Sequence, residues 1–382
     1  VRGTGIMNFD LSPAEQEMVR LVKGVLPESD VAFAHMKGTF VADSIEELLN
    51  LAKRLGGVGY LHADPASARG GPLGLAAAGT MLAALSPEAF LALEFSSRVV
   101  GGLLAVFGSN QVKTDLLKQI ESGGLLAATT LNAAGLGENA ESPAVTVQKN
   151  KQGWRADGEA DLVVNGPQAG LLALPARAGE ELVWLLLDPT WPGLTLGPRL
   201  ETASLNKLAI CSITLRDLEV PFERVVGPFS AQDSLARSAQ MQTRALTTCA
   251  LGLMRRSFKW AVAGAKETGA SGRPLIAQQN IAFKLAEMHT LSDTARLLAY
   301  RAVWAGENEA SDAAMLADCA KVFCCEAAET VASQALQVLG ARGLMAGNPA
   351  EESYRAAKFL TACGGSSEAV RMNIGDRILA NY

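Results

Sequence analysis

Residues 281–298, IAFKLAEMHTLSDTARLL, settle the texture of the last third of the chain. Ile281, Leu285, Met288, Leu291, Ala295 and Leu298 step by four, three, three, four and three. That spacing lays one apolar stripe along a helix, and no strand reproduces it. Downstream, Ala313–Leu339 reads as a second long helix; upstream, the helical texture begins near Gln232. Between Leu125 and that point, short β-like runs alternate with turns: Ala144–Gln148, Gly153–Gly158, Leu162–Val164, Leu182–Leu187 and Ile213–Leu218. Asp157-Gly158 and Pro192-Gly193 supply the punctuation. From Met7 to Gly124 the pattern is helical again. Ser12-Pro13-Ala14-Glu15 has the form of a capping box. Ile45, Leu48, Leu49 and Ala52 form an apolar stripe, and Ala89–Phe107 reads as a buried, nearly all-apolar helix. The order α, β, α predicts a mainly α chain with an inserted β-domain: helices over 7–124, a small barrel or sandwich over 125–231, and a helical bundle over 232–382. Val1 to Ile6 precede Met7 and read as a cloning scar, with Met7 as the natural start.

Composition narrows the function. The chain has 382 residues, 49% of them hydrophobic and only 19% charged, with a net charge of −5. The charge balance gives no reason to expect nucleic acid as a partner. The charged fraction is below the ~25% usual for soluble domains, which predicts extensive burial and a subunit interface. His35, His62 and His289 fall in no ligand-spaced motif, so no metal site is expected. The six cysteines form no C-x-x-C pair, which fits a reducing cytoplasm. Gly70–Pro87, the longest uncharged stretch, carries too many Gly and Pro residues for a membrane span.

A series of landmarks then appears in order. They are Phe107-Gly-Ser-Asn-Gln-Val-Lys, Gly193-Leu-Thr-Leu-Gly197 with Asp217-Leu-Glu-Val-Pro221, Gly272-Arg-Pro-Leu-Ile with Gln279, Gln337-Val-Leu-Gly340 with Gly343, and Tyr354-Arg-Ala-Ala. Together they resemble the acyl-CoA dehydrogenases along nearly the whole chain. The resemblance implies an N-terminal α-domain, a middle β-barrel and a C-terminal four-helix bundle. It also implies FAD, an acyl-CoA thioester substrate, electron-transfer flavoprotein as acceptor, and a homo-dimer, tetramer or heteromer with a homologous catalytic subunit. Such chemistry needs a carboxylate to take the α-proton while the β-hydride leaves to the flavin. It also needs donors where enolate charge develops and a well-held cofactor.

Those requirements are poorly met. In register with the family's Y-E-G-T-x-E, this chain reads Cys363-Gly-Gly-Ser-Ser-Glu368, so the base position falls on Gly364. The alternative base position, on the first helix of the C-terminal domain, falls on Gln242 or Thr243, beside Arg244. T-E-P-x-A-G-S-D aligns with Thr130-Leu-Asn-Ala-Ala-Gly-Leu-Gly137, losing both carboxylates. W-I-T-N aligns with Leu162-Val163-Val164-Asn165, losing the aromatic plate and the threonine hydroxyl. The Arg and Phe of R-x-x-F-G align with Thr268 and Ser271. The resemblance leaves Thr130, Val163, Val164, Arg273, Gln279, Gln337, Gly340, Ser366 and Glu368 as cofactor-contact positions, and Thr243 and Arg244 as substrate positions.

Glu94 and Glu368 are the remaining carboxylates considered as a base, and Cys363 as a nucleophile. For all three the alternative is ordinary burial or helix capping. Cys324, Cys325, Met241, Met254 and Met288 read as core, Arg255-Arg256 as a solvated helix face, and the Gly193–Gly197 turns as barrel punctuation. Losing the base at both positions, the flavin plate and the arginine together predicts a diverged or partner subunit of an acyl-CoA dehydrogenase. A different flavin enzyme of monooxygenase or oxidase type, and a flavin-free structural paralogue, are the alternatives.

Overall fold

The computed structural model describes residues 10–26, 44–131, 143–229, 231–268 and 272–381. His35, Ser271 and most of the segment following Thr130 lie outside them. Helix α1 (Pro13–Val25) starts in the expected capping box, with Ser12 and Glu15 each accepting from the other's backbone N–H. α2 (Ile45–Gly57) is capped by Ser44 and buries Leu48, Leu51, Ala52 and Leu55. The stripe is therefore turned from the one expected, and Ile45 is exposed. α3 (Gly71–Leu85) leads through Ser86 into α4 (residues 87–107), which widens into a π-helical segment at Phe95–Val100. α4 is long and apolar enough to cross a membrane by length and composition, yet 83% of its most apolar window is buried inside the protein. α5 (residues 110–121) closes this region.

Eight strands follow: β1 (Ala127–Thr130), β2 (Thr146–Lys149), β3 (Gly153–Val164), β4 (Leu171–Ala178), β5 (Glu181–Leu187), β6 (Leu194–Leu196), β7 (Cys211–Pro221) and β8 (Val225–Phe229). They form one sheet in the order β6-β7-β3-β1-β4-β5-β8, with β2 also bridging β3 and β4. One face encloses its own apolar core around Val147, Val163, Leu174, Leu185 and Ile213. The other lays Trp184, Leu186 and Leu171 against Leu103, Leu104 and Ile120 of α4 and α5.

Two turn signals are absorbed into strands here. Asp157-Gly158 lies inside continuous β3, at a register shift against β7. Gly158 has φ +130°, and a Cβ there would meet Ala144 O at 2.5 Å, so the glycine marks a bulge and not a strand end. The Gly193–Gly197 segment likewise carries the short strand β6.

The last third is α6 (Ala231–Ala265), α7 (Gln279–Glu307), α8 (Ala313–Leu339), α9 (Pro349–Ala362) and α10 (Ser367–Asn381). Within α7, Ile281, Met288 and Ala295 are buried, as their spacing requires. α8 packs against α6, α7, α9 and α10. α6 also reaches back to α3, where Gly252 allows close approach: a Cβ there would lie 2.5 Å from Ala83 Cβ. Cys324, Cys325, Met254 and Met288 are core, as expected. Arg256 is not solvated: it is 6% exposed and pairs with Glu352 at 2.6 Å, while Arg255 alone faces solvent. A helix face this crowded buries both apolar neighbours and the guanidinium stem, which an Arg-Arg pair does not reveal in sequence.

Candidate functional site

The loop between α9 and α10 carries the expected base position. Gly364 and Gly365 both have positive φ, +65° and +87°. A Cβ on Gly364 would lie 2.3 Å from Leu246 Cδ1 and 3.9 Å from Lys321 Cε. The space a base would occupy is thus filled from α6 by a fully buried leucine. Beneath it, Lys321 of α8 is 1% exposed and its Nζ donates to Gly365 O. Burial holds this ammonium below the ordinary lysine pKa. A lysine tied to the loop backbone fixes the turn but is itself enclosed. Burial also pushes the neighbouring Cys363 thiol up to about 11, so it is no nucleophile near neutral pH.

The second base position is spent on structure. Gln242 is fully buried, and its Nε2 donates to Thr130 O at 3.1 Å and to Ser238 Oγ at 3.3 Å. Thr243 is 4% exposed, and its backbone carbonyl accepts from Thr247 Oγ1. α6 is therefore stitched directly to the end of β1. Glu368 stands exposed in the first turn of α10, where its backbone N–H and the Ser366 hydroxyl lower its pKa. It is a helix-end carboxylate, not a poised base.

A cleft of about 430 Å³, part of it open to solvent, lies between the turn after α2, the N-terminal part of α4, and α6. Tyr60, Phe90, Glu94, Arg98, Met241 and Arg244 line it. Glu94 is buried, accepts from Tyr60 Oη at 2.9 Å and pairs with Arg98 at 3.7 Å. Arg98 also donates to Tyr60 O and, at 3.0 Å, to Ser97 Oγ, and its Cζ lies 5.1 Å from the Tyr60 ring centroid. Burial, reinforced by Glu94, raises the Tyr60 hydroxyl pKa well above its ordinary value. Burial lowers that of Arg244. The sequence singled out Glu94 and Arg244, and the fold brings them together. Tyr60 and Arg98 were missed; an arginine one turn after Glu94 in an otherwise apolar helix was the available signal.

The positions expected to hold a flavin fall into two groups. Val163 and Val164 are 0% exposed, one enclosed by the sheet core and the other packed into the helical core. Asn165, in the W-I-T-N register, turns inward at φ +66° and donates to Ala92 O and Ala127 O at 2.8 and 3.0 Å. Thr129 Oγ1 is buried and unpartnered, but its residue is fully enclosed and no ring reaches it. With Gln242 bridging to Thr130, these residues do not fit an isoalloxazine ring. Arg273, Gln279, Gln337, Gly340 and Glu368 are exposed, and Ser366 is half-buried. They leave polar surface at helix ends but contribute nothing to the cleft. Among the described residues, no cluster of three or more His, Cys, Asp or Glu is arranged to hold a metal.

Residues 234–379 match the model of the acyl-CoA dehydrogenase C-terminal domain. The mitochondrial short-chain specific acyl-CoA dehydrogenase of Rattus norvegicus is 29% identical over 290 residues, 74% of this chain and 69% of the relative. Butyryl-CoA dehydrogenase from Megasphaera elsdenii superposes with a TM-score of 0.86 over 98% of this chain and all of that one, at 23% identity. The C-terminal region of the chain is thus an acyl-CoA dehydrogenase C-terminal domain, and the whole chain has the fold of these enzymes. PigA with FAD and proline also shares the fold, with a TM-score of 0.84 at 18% identity over 98% of this chain and all of that one. That fold here surrounds a loop in which the position expected from sequence to hold a base is Gly364.

Proposed function

We propose that this chain is a catalytically diverged, partner-type subunit of an acyl-CoA dehydrogenase assembly. A homologous chain supplies the base and the flavin ring, and this chain completes the assembly. The observation that carries the reading is the packing at Gly364, where Leu246 fills the space of the missing carboxylate and Lys321 pins the turn. A chain that had merely lost its base would keep the room for it; this one has closed the room. The sealed Val163 and Val164 and the Gln242–Thr130 bond support the same conclusion for the flavin ring.

Phe283, Leu344, Met345, Met372 and Leu379, each more than 60% exposed, lie in the C-terminal helical region and offer apolar surface for a homologous partner. Six free cysteines, four of them buried, suit a reducing cytoplasm. The substrate of the assembly is an acyl-CoA thioester, and its electrons pass to electron-transfer flavoprotein.

Anaerobic titration with acyl-CoA tests the proposal, run on the chain alone and after co-expression with a homologous subunit. The lone chain is expected to purify without a flavin absorption band and to show no acyl-CoA-dependent bleaching. The co-expressed pair is expected to carry flavin and to bleach. A lone chain that purifies yellow and reduces its flavin at an ordinary dehydrogenase rate sinks the reading. An alternative, a flavin-free structural paralogue, rests on the same sealed ring site and is distinguished by a pair that forms but never bleaches.

A further inference from the structure

Helix α10 has an inverted polarity for a surface helix. Ser367, Val370, Ile374 and Arg377 recur at helical spacing on one side of it, and that side rests on α8. Val370 is fully buried and Ile374 only half-buried, whereas α9 buries Ala350, Ala356, Ala357 and Leu360. The opposite side carries Met372 and Leu379, both well exposed. What ties α10 to α8 is mostly polar. Arg371 pairs with Glu326 at 2.8 Å, Arg377 pairs with Asp318 at 3.5 Å, and the Ser367 hydroxyl also donates to Glu326. Both arginines are about half exposed, so these pairs are weak and screened by salt. The chain just before α10 is held quite differently. Gly364 is seated against Leu246, and Gly365 O accepts from the buried Lys321. Movement is therefore blocked up to Gly365 and weakly resisted beyond it. A helix with one fully buried apolar side chain belongs at the low end of local stability.

We infer that α10 is an arm latched to α8 by its ion pairs, opening as one unit about the pinned loop 363–365 while the other helices of the bundle stay folded. Opening frees Asp318, which is buried when the arm is docked, together with Glu326, so that α8 then presents an acidic edge. The device lies within one chain and stands whether or not the partner-subunit reading holds.

Hydrogen exchange of the full chain, followed by mass spectrometry over overlapping peptides, tests this at low salt and in about 1 M NaCl, where the Debye length is about 3 Å. The amides of α10 are expected to exchange together and faster than those of α8 and α9. High salt should speed them by a further factor of about 2–20 and leave α8 and α9 unmoved. Arg371→Gln combined with Arg377→Gln is expected to give the high-salt rate at low salt and to remove the salt response. Exchange graded inward from the C-terminus, protection equal to that of α9, a rate indifferent to salt, or a salt response kept by the double variant overturns the inference. Loss of protection in α9 alongside α10 overturns it as well, because the pivot would then not be fixed.

Discussion

Restoring the family's carboxylate by Gly364→Glu should damage the protein and restore nothing. Two costs follow from the geometry. A non-glycine residue held at φ +65° costs about 1–2 kcal/mol. Its Cβ would come within 2.3 Å of Leu246 Cδ1, so a fully buried side chain must move, an overpacking cost of about 1–3 kcal/mol. The expected loss is about 2–5 kcal/mol. Unfolding entropy near 2.1 cal/mol/K per residue over 382 residues makes each kcal/mol worth about 1.2 °C, so Tm should fall by about 2–6 °C. Leu246→Ala alone opens a cavity and costs about 2–5 kcal/mol. In the double variant the glutamate stem uses that cavity, so the two losses should fall short of additivity by about 1–3 kcal/mol. Thermal and urea unfolding of the four proteins measure this coupling, with acyl-CoA-dependent bleaching as the activity readout. Wild-type stability in Gly364→Glu with no coupling to Leu246 would refute the claim that the base site has been filled, as would acyl-CoA oxidation by the single variant.

Other outcomes follow from the same structure. Glu94→Gln keeps an acceptor for Tyr60 but leaves Arg98 buried without its counter-charge, and urea unfolding should show a loss of about 3–5 kcal/mol; an unchanged midpoint would mean the pair is not buried as described. Asn165→Ala strands two buried carbonyls and forces alanine to φ +66°, for about 2–5 kcal/mol, while Asn165→Gly should recover about 1–2 kcal/mol of that; equal losses would rule out the backbone contribution. The Cys363 thiol titrates near 9 in the unfolded chain and about 11 in the folded one, so its contribution is complete below pH 9 and is lost as pH rises through 11. Wild type should therefore lose about 2 kcal/mol relative to Cys363→Ala between pH 8 and 11; parallel stability curves for the two would contradict the thiol's burial.

Long periodic segments were legible from sequence because burial on one face imposes the spacing. Residues 313–339 show this, their apolar positions falling where α8 meets four other helices. Four strands were not, β1, β4, β6 and β8, and two of them show why. β1 is Ala-Ala-Thr-Thr, with no β-branched or aromatic signal in its first half. β4 carries Pro175, which normally argues against a strand. Its position explains the tolerance: β1 pairs with β4 at residues 171–172 and β2 at 177, leaving the stretch around Pro175 without a ladder partner on that side. The vacancy at residue 364 was legible because Glu368 and Gly365 fix the register. What replaced the base was not, because Leu246 and Lys321 arrive from helices more than 40 residues away. The Tyr60–Glu94 contact, 34 residues apart and outside any motif, was hidden for the same reason.

The π-helical stretch at Phe95–Val100 has a mechanical meaning. Such a segment accommodates one residue more than an α-helical turn does, and it offsets the side chains on either side of it by about 100°. Removing a single residue there would let α4 close into an ordinary helix of the same length. It would also rotate Pro87–Glu94 against Gly101–Phe107. The second half is clamped to the sheet, so the first would turn and carry Glu94 away from Tyr60. One surplus residue in a buried helix therefore sets the direction in which the acid of the cleft faces.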